Sequence, residues 1–168
     1  PGLWACLDPD CTAERDGIPP GPIGAMYGQP RNTCDCGARV FELFTCRQCG
    51  TAYARAYTDD IENPSFLWQE PGKAFNTASG PLTELQAIDL LLEEPSADVG
   101  NAELKEFDLV TGQLDPHDVG ERWRTVWLRY PRRGEQQQDG DDGDATKTKI
   151  TGEFVPCGVC GERANFGR

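Results

Sequence analysis

Eight cysteines, falling as four close pairs, are the residues of this sequence best equipped for chemistry: Cys6 with Cys11, Cys34 with Cys36, Cys46 with Cys49, and Cys157 with Cys160. Two cysteines at i and i+2 or i+3 seldom bridge each other comfortably. The opening "PGLWACLDPD" also has neither the basic n-region nor the apolar h-region of a secretory signal, so a disulfide framework is the poorer reading. Adjacent thiol pairs are instead how a short turn offers two thiolates to one tetrahedral cation, with sulfur at about 2.3 Å and a second pair completing the shell. Four pairs make two such sites, and the expected cofactor is two zinc ions with four cysteines each. Filled by four thiolates, each site has no open position for substrate or water, so its role is to hold the fold together. Structural zinc contributes on the order of 10–16 kcal/mol in zinc-finger peptides, so the chain is expected to lose structure when a chelator removes the metal.

The turns themselves suggest which pairs share an ion. "TCRQCG" and "PCGVCG" have the same C-x-x-C-G form, in which the glycine lets the backbone curl and bring amides toward the sulfurs. Their likeness assigns Cys46, Cys49, Cys157 and Cys160 to one ion, closing a loop of more than a hundred residues. "WACLDPDC" and "TCDCG" then supply Cys6, Cys11, Cys34 and Cys36 to the other. A sequential arrangement stays open, with Cys34, Cys36, Cys46 and Cys49 on one ion and Cys6, Cys11, Cys157 and Cys160 on the other.

Other chemistry has little to work with. His117 is the only histidine and lies in "LDPHDVG" with no nucleophile motif, so it reads as an exposed loop residue. Neither a phosphate-binding loop nor a dinucleotide fingerprint is present. The acidic residues of "GEQQQDGDDGD" lack the flanks and terminal glutamate of a calcium loop and read as a solvated run. The net charge of −12 opposes broad docking on nucleic acid or an anionic membrane, so any contact with DNA must be local. Arginine next to aromatic residues marks where that contact would fall, at Arg47 and Arg55 and at Arg122, Arg124 and Arg129. The same arginines can equally pair with the acidic stretch over residues 84–121.

The elements that must position these groups are short. In 168 residues with 38% hydrophobic content, the 19 glycines and 13 prolines argue for turns and strands over long helices. Apolar residues mostly alternate: "ARVFELFTC" and "AYARAY" predict two strands flanking the Cys46/Cys49 turn. "PSFLWQEP" predicts a short strand between prolines, and "KEFDLVTGQLDP" a hairpin broken at Thr111–Gly112. "GPLTELQAIDLLLEEP" suits a short helix followed by a strand. "ERWRTVWLRYP", with aromatic residues on both faces, is expected to be a central strand. Residues 132–148 carry almost no apolar side chain and are expected to be a mobile acidic loop, after which "TKITGEFV" returns as a strand. The fold class expected is β-rich, two zinc-ribbon-like units with a small antiparallel sheet and at most one or two short helices. The first unit spans residues 1–45, and the second, 46–168, encloses a β-rich insertion. No apolar run reaches the length of a membrane span, and a cytoplasmic protein without a membrane partner is expected. Without an initiator methionine, the chain reads as a piece of something longer.

At "PGLWACLDPDC", "CDCGARVFELFTCRQCGTAYARAY", "FLWQEP" and "CGVCG" the sequence resembles the cysteine-rich insertion of large bacterial DEAD/DEAH-box superfamily 2 helicases with an MrfA-like zinc-binding domain. That group includes the phage-defence helicases of the DISARM and Druantia kind. The resemblance implies an accessory segment beside two RecA-like lobes, with ATP hydrolysis and strand separation belonging to the lobes. Neither the ATP-binding lysine motif nor the DExH motif is found here, so only metal ligation by the eight cysteines carries over. The partners it implies are the rest of the helicase chain, with DNA and a partner defence subunit as further candidates. Two rivals stand beside it: a rubredoxin-like iron carrier, which four of these cysteines would serve, and a zinc-ribbon adaptor that binds protein only.

Overall fold

The computed structural model describes residues 2–13, 21–77, 80–96, 102–118, 120–129, 154, 157–161 and 166–167. Side chains of 76, 77, 166 and 167 lie outside that description, as do the expected mobile loop and the strand expected from "TKITGEFV". The described elements are all strands: β1 (Leu3–Cys6), β2 (Met26–Tyr27), β3 (Val40–Cys46), β4 (Ala52–Thr58), β5 (Lys73–Thr77), β6 (Gly80–Glu84), β7 (Gln86–Leu91), β8 (Ala102–Asp108), β9 (Trp123–Arg129) and β10 (Phe166–Gly167). No helix occurs among the described residues, hence none long and apolar enough to cross a membrane.

Eight of these strands form one antiparallel sheet in the order β2-β1-β3-β4-β7-β9-β8, with β10 also paired to β3; β5 and β6 form a separate two-stranded ribbon. The register is fixed by which side chains each face must bury. Phe44 lies opposite Tyr53 and Tyr53 opposite Leu91, which in turn faces Trp127. These residues make one apolar cluster with Cys46, Phe154 and Cys157. Their neighbours of opposite parity, Phe41, Ala54, Ala56, Ile88, Leu90, Val126 and Leu128, enter a larger cluster with Leu67, Phe107 and Leu109. β4 is therefore covered on both faces: Tyr53 and Arg55 point to one side and Ala54 and Ala56 to the other, all buried.

The structure departs from the periodicity in three places. "PLTELQAIDLLL" contains no helical turn; it is β6 followed by β7, with a break at Leu85, whose amide donates to the Gly72 carbonyl at 2.8 Å. The apolar run Ile88, Leu90, Leu91 belongs to a strand with a core on each face, so alternation disappears and a helical spacing arises by coincidence. "ERWRTVWLRY" does give β9, but next to the sheet edge rather than at its centre. Arg124, Val126 and Leu128 face inward, and Trp123 stays 45% exposed. "PSFLWQEP" is no strand but two isolated bridges, Tyr57 with Trp68 and Phe66 with Gln113, that seat a buried Leu67. The hairpin at "KEFDLVTGQLDP" is present, closed by Phe107 opposite Leu114 and by the Asp108 amide on the Gln113 carbonyl at 2.9 Å.

One strand carries the chain from one cysteine group to the other. β3 starts at Val40, opposite Cys6, and ends at Cys46, a run of roughly 20 Å at about 3.3 Å per residue. The expected division at residue 45 falls within β3.

Candidate metal centres

None of the eight cysteines is in a disulfide, and their sulfurs gather into two groups, Cys6, Cys11, Cys34, Cys36 and Cys46, Cys49, Cys157, Cys160. Within each group the sulfurs lie within 4.8 Å of one another. This is the grouping that the matched knuckles suggested, not the sequential one. In the first, Cys6 and Cys36 Sγ are 3.6 Å apart and Cys11 and Cys34 3.7 Å. In the second, Cys46 and Cys160 are 3.7 Å apart and Cys49 and Cys157 3.8 Å. Four sulfurs each about 2.3 Å from one centre, at tetrahedral angles, lie about 3.8 Å from each other. The spacing fits a four-coordinate metal, and either group could hold one.

Local backbone builds the second centre from two copies of one turn. The Gly50 amide donates to the Cys46 carbonyl at 2.8 Å, and the Gly161 amide to the Cys157 carbonyl at 3.0 Å. The two glycines sit at φ 79° and 77°, the left-handed region that a side chain would strain. β3 and β4 hold one turn by pairing on either side of it. The other is held by Tyr53, whose hydroxyl lies 3.0 Å from Cys157 Sγ and accepts the Gly158 amide at 2.9 Å. Thr51 Oγ1 lies 3.0 Å from Cys49 Sγ. Burial pushes the Cys49 thiol up, but the Thr51 hydroxyl and amide outweigh it and bring it down to about 7. Burial raises Cys46.

The first centre is assembled from more distant pieces. Cys6 ends β1, Cys11 follows a tight turn through Asp8, and Cys34 and Cys36 lie on the loop before β3. The Tyr27 hydroxyl of β2 is 3.2 Å from Cys34 Sγ, and burial together with that sulfur pushes its phenol up to about 12. Arg122 spans the site: its Nη2 donates to Cys36 Sγ at 3.2 Å and to Asp8 Oδ2 at 2.5 Å, and its Nη1 donates to the Cys36 carbonyl. Burial raises the Cys36 thiol, yet the Ala38 amide and the Arg122 guanidinium prevail and leave it at about 7. Cys6, fully buried, is driven well above the thiol range by desolvation. Neutralising and hydrogen-bonding groups around the sulfurs are what a cluster of thiolates requires.

The arginines singled out for nucleic acid are placed differently from one another. Arg122 serves Cys36 and Asp8. Arg124 is buried and donates to the Leu7 carbonyl at 2.9 Å and the Leu92 carbonyl at 2.7 Å, as well as to the Pro22 carbonyl, and burial lowers it to about 10. Arg55 is buried in an ion pair with Asp89 at 2.7 Å and lies 5.0 Å over the Phe44 ring. Arg47 is exposed on the second centre's first knuckle, and Arg129 is half-buried at the end of β9. His117 is exposed. Asp8, Tyr27, Thr51 and Tyr53 were not singled out by sequence reasoning. Asp8 lies between two paired cysteines and Thr51 just beyond one, which were the available signals; the tyrosines come from strands and gave none.

A family described as the YjiV N-terminal domain matches residues 26–168. The chain is also similar to the Druantia protein DruE of Escherichia coli (strain UMEA 4076-1), 33% identical over 174 residues. That match takes in 95% of this chain but 8% of the relative, so the chain spans less than a tenth of the length of that protein. No solved structure matches it.

Proposed function

This chain belongs to the YjiV N-terminal domain family, and from that premise we propose that it is a structural zinc-binding accessory domain of a much longer ATP-dependent DNA helicase or translocase. The observation that carries the reading is the pair of four-sulfur groups joined by β3, each made of four cysteines among the described residues. Four thiolates in a tetrahedron suit zinc, which would supply no chemistry here beyond cross-linking the chain. The chain's own residues do the rest: Arg122 and Tyr27 hold the first set of sulfurs, Tyr53 and Thr51 the second. On this reading the domain is not itself an enzyme, and ATP hydrolysis belongs to the rest of the longer chain. Its context is phage defence, in line with the resemblance to Druantia-type helicases and the similarity to a Druantia protein.

Bracing through protein contact is favoured over guiding a strand. Three of the five candidate arginines are engaged inside the fold, and the net charge is −12. Meanwhile the β5–β6 ribbon presents Phe75, 76% exposed, opposite Leu82, 51% exposed, an apolar pair suited to packing on the remainder of the longer polypeptide.

The test uses the longer protein with Cys34 and Cys36 both replaced by serine. The expected result is loss of DNA unwinding or translocation, with ATP hydrolysis by the motor retained in part. Unchanged unwinding would contradict the accessory role. In the isolated chain, a visible absorbance from bound iron would favour the rubredoxin-like rival, whereas tight DNA binding that weakens steeply with salt would restore the strand-guiding role.

A further inference from the structure

The two sulfur groups differ in what shields them. In the first, Cys6 and Cys34 are 0% and 3% exposed, Cys11 and Cys36 are half-buried, and Arg122 lies over Cys36 while Asp8 holds it in place. In the second, Cys46 and Cys157 are 1% and 0% exposed, but Cys49 and Cys160 are open to solvent. These two exposed sulfurs come one from each knuckle and lie within 4.8 Å of each other. A small reagent can therefore reach a sulfur of both turns without unfolding the sheet.

Resting on the reading that both groups hold zinc, we propose that Cys49 and Cys160 form an oxidation site, at which a hydroperoxide makes a disulfide that releases the second zinc and takes its place as the link between the two knuckles. The Cys49 thiolate attacks the terminal peroxide oxygen, the O–O bond breaks, and the cysteine becomes a sulfenic acid while the leaving oxygen departs as alcohol or water after taking a proton. The Cys160 thiolate then attacks the Cys49 sulfur and displaces hydroxide, which is protonated to water. Two thiolates have lost two electrons, the peroxide has gained them, and the zinc retains two of its four sulfurs.

The consequence follows from what residues 154 and 157–161 touch. The Phe154 ring lies 5.5 Å from that of Tyr53, its amide donates to Asp89 Oδ2 at 2.9 Å, and Phe154 and Cys157 complete the cluster of Phe44, Leu91 and Trp127. Among the described residues, the knuckle is also tied to the sheet by Tyr53 at Cys157 and Gly158 and by the Ser96 amide on the Gly158 carbonyl at 2.9 Å. The disulfide keeps the last knuckle joined to the first as the ion leaves, so this cluster stays covered, and the first group keeps its zinc.

The experiment begins with metal analysis of the zinc-loaded chain and then adds one equivalent of hydrogen peroxide. Zinc release is followed with a chromogenic indicator, disulfides by peptide mass mapping, and amide exchange by mass spectrometry. One ion of the two should be released, Cys49 should be linked to Cys160, and exchange at residues 157–161 should rise only when a reductant opens the disulfide while the indicator still holds the zinc, with residues 3–13 unchanged. Release of both ions together, or oxidation appearing first at Cys6, Cys11, Cys34 or Cys36, would overturn the inference. Iodoacetamide gives a second check: labelling must reach Cys49 and Cys160 before the other six cysteines, and equal labelling counts against it. Fewer than two zinc ions before any oxidant is added would contradict the zinc reading instead.

Discussion

Arg122 shows how a charge can be assigned to the wrong task when only its neighbours in sequence are visible. Flanked by Glu121 and Trp123 it looks like a nucleic-acid contact, but Asp8, far away in the chain, turns it toward Cys36. Removing it leaves a 6%-exposed carboxylate and a sulfur without their shared cation. Groups of this kind around metal ligands are typically worth about 10–100-fold in metal affinity. Arg122→Met is therefore expected to weaken zinc retention at the first group by that factor and to spare the second, checked by chelator competition with alkylation mapping of the freed cysteines. Tyr53 makes a different case. Its hydroxyl joins Cys157 to the Gly158 amide in a buried spot, and Tyr53→Phe leaves that amide without its partner, at a cost of about 1–3 kcal/mol. Urea unfolding of the zinc-loaded protein measures it. Tyr27→Phe, at a less buried position, should cost less.

At the level of elements, β4 and β7 are cross-linked by one buried charge pair. Asp89 accepts from Arg55 with one oxygen and from the Phe154 amide with the other, so a single carboxylate ties two central strands to the chain's last segment. Breaking such a pair from one side usually costs about 3–5 kcal/mol, because the remaining charge stays buried. Asp89→Asn should lower the thermal midpoint sharply, whereas Glu62→Gln, at an exposed loop position, should not move it. Strands such as β3 and β4 were legible in sequence because their alternation matches burial. The knuckles were legible because spacing and glycine together prescribe a turn, and their likeness also identified the sulfur grouping. In "GPLTELQAIDLLLEEP" the strand half was legible as β7, but β6 was not, since Leu82 and Leu85 with Ile88 supplied a false helical stripe. β9 was recognised as a strand but lies next to the sheet edge, with Trp127 packed on one apolar cluster, Val126 and Leu128 in the other, and Trp123 exposed. Long-range partners such as Asp8 with Arg122 leave no local trace in a sequence.

For the molecule as a whole, two metal-type centres at the two ends of β3 bracket a sheet whose apolar clusters both include cysteine ligands: Cys6, Cys34 and Cys36 in one, Cys46 and Cys157 in the other. Because the sulfurs are part of both clusters, removal of metal from both groups is expected to cost the sheet its stability. The most direct test is to count the zinc ions per chain by native mass spectrometry and then follow the β-sheet circular dichroism as a strong chelator strips them. Two ions per chain, with the sheet signal lost as they leave, is the result predicted. A metal-free chain that keeps its sheet signal unchanged would contradict the account.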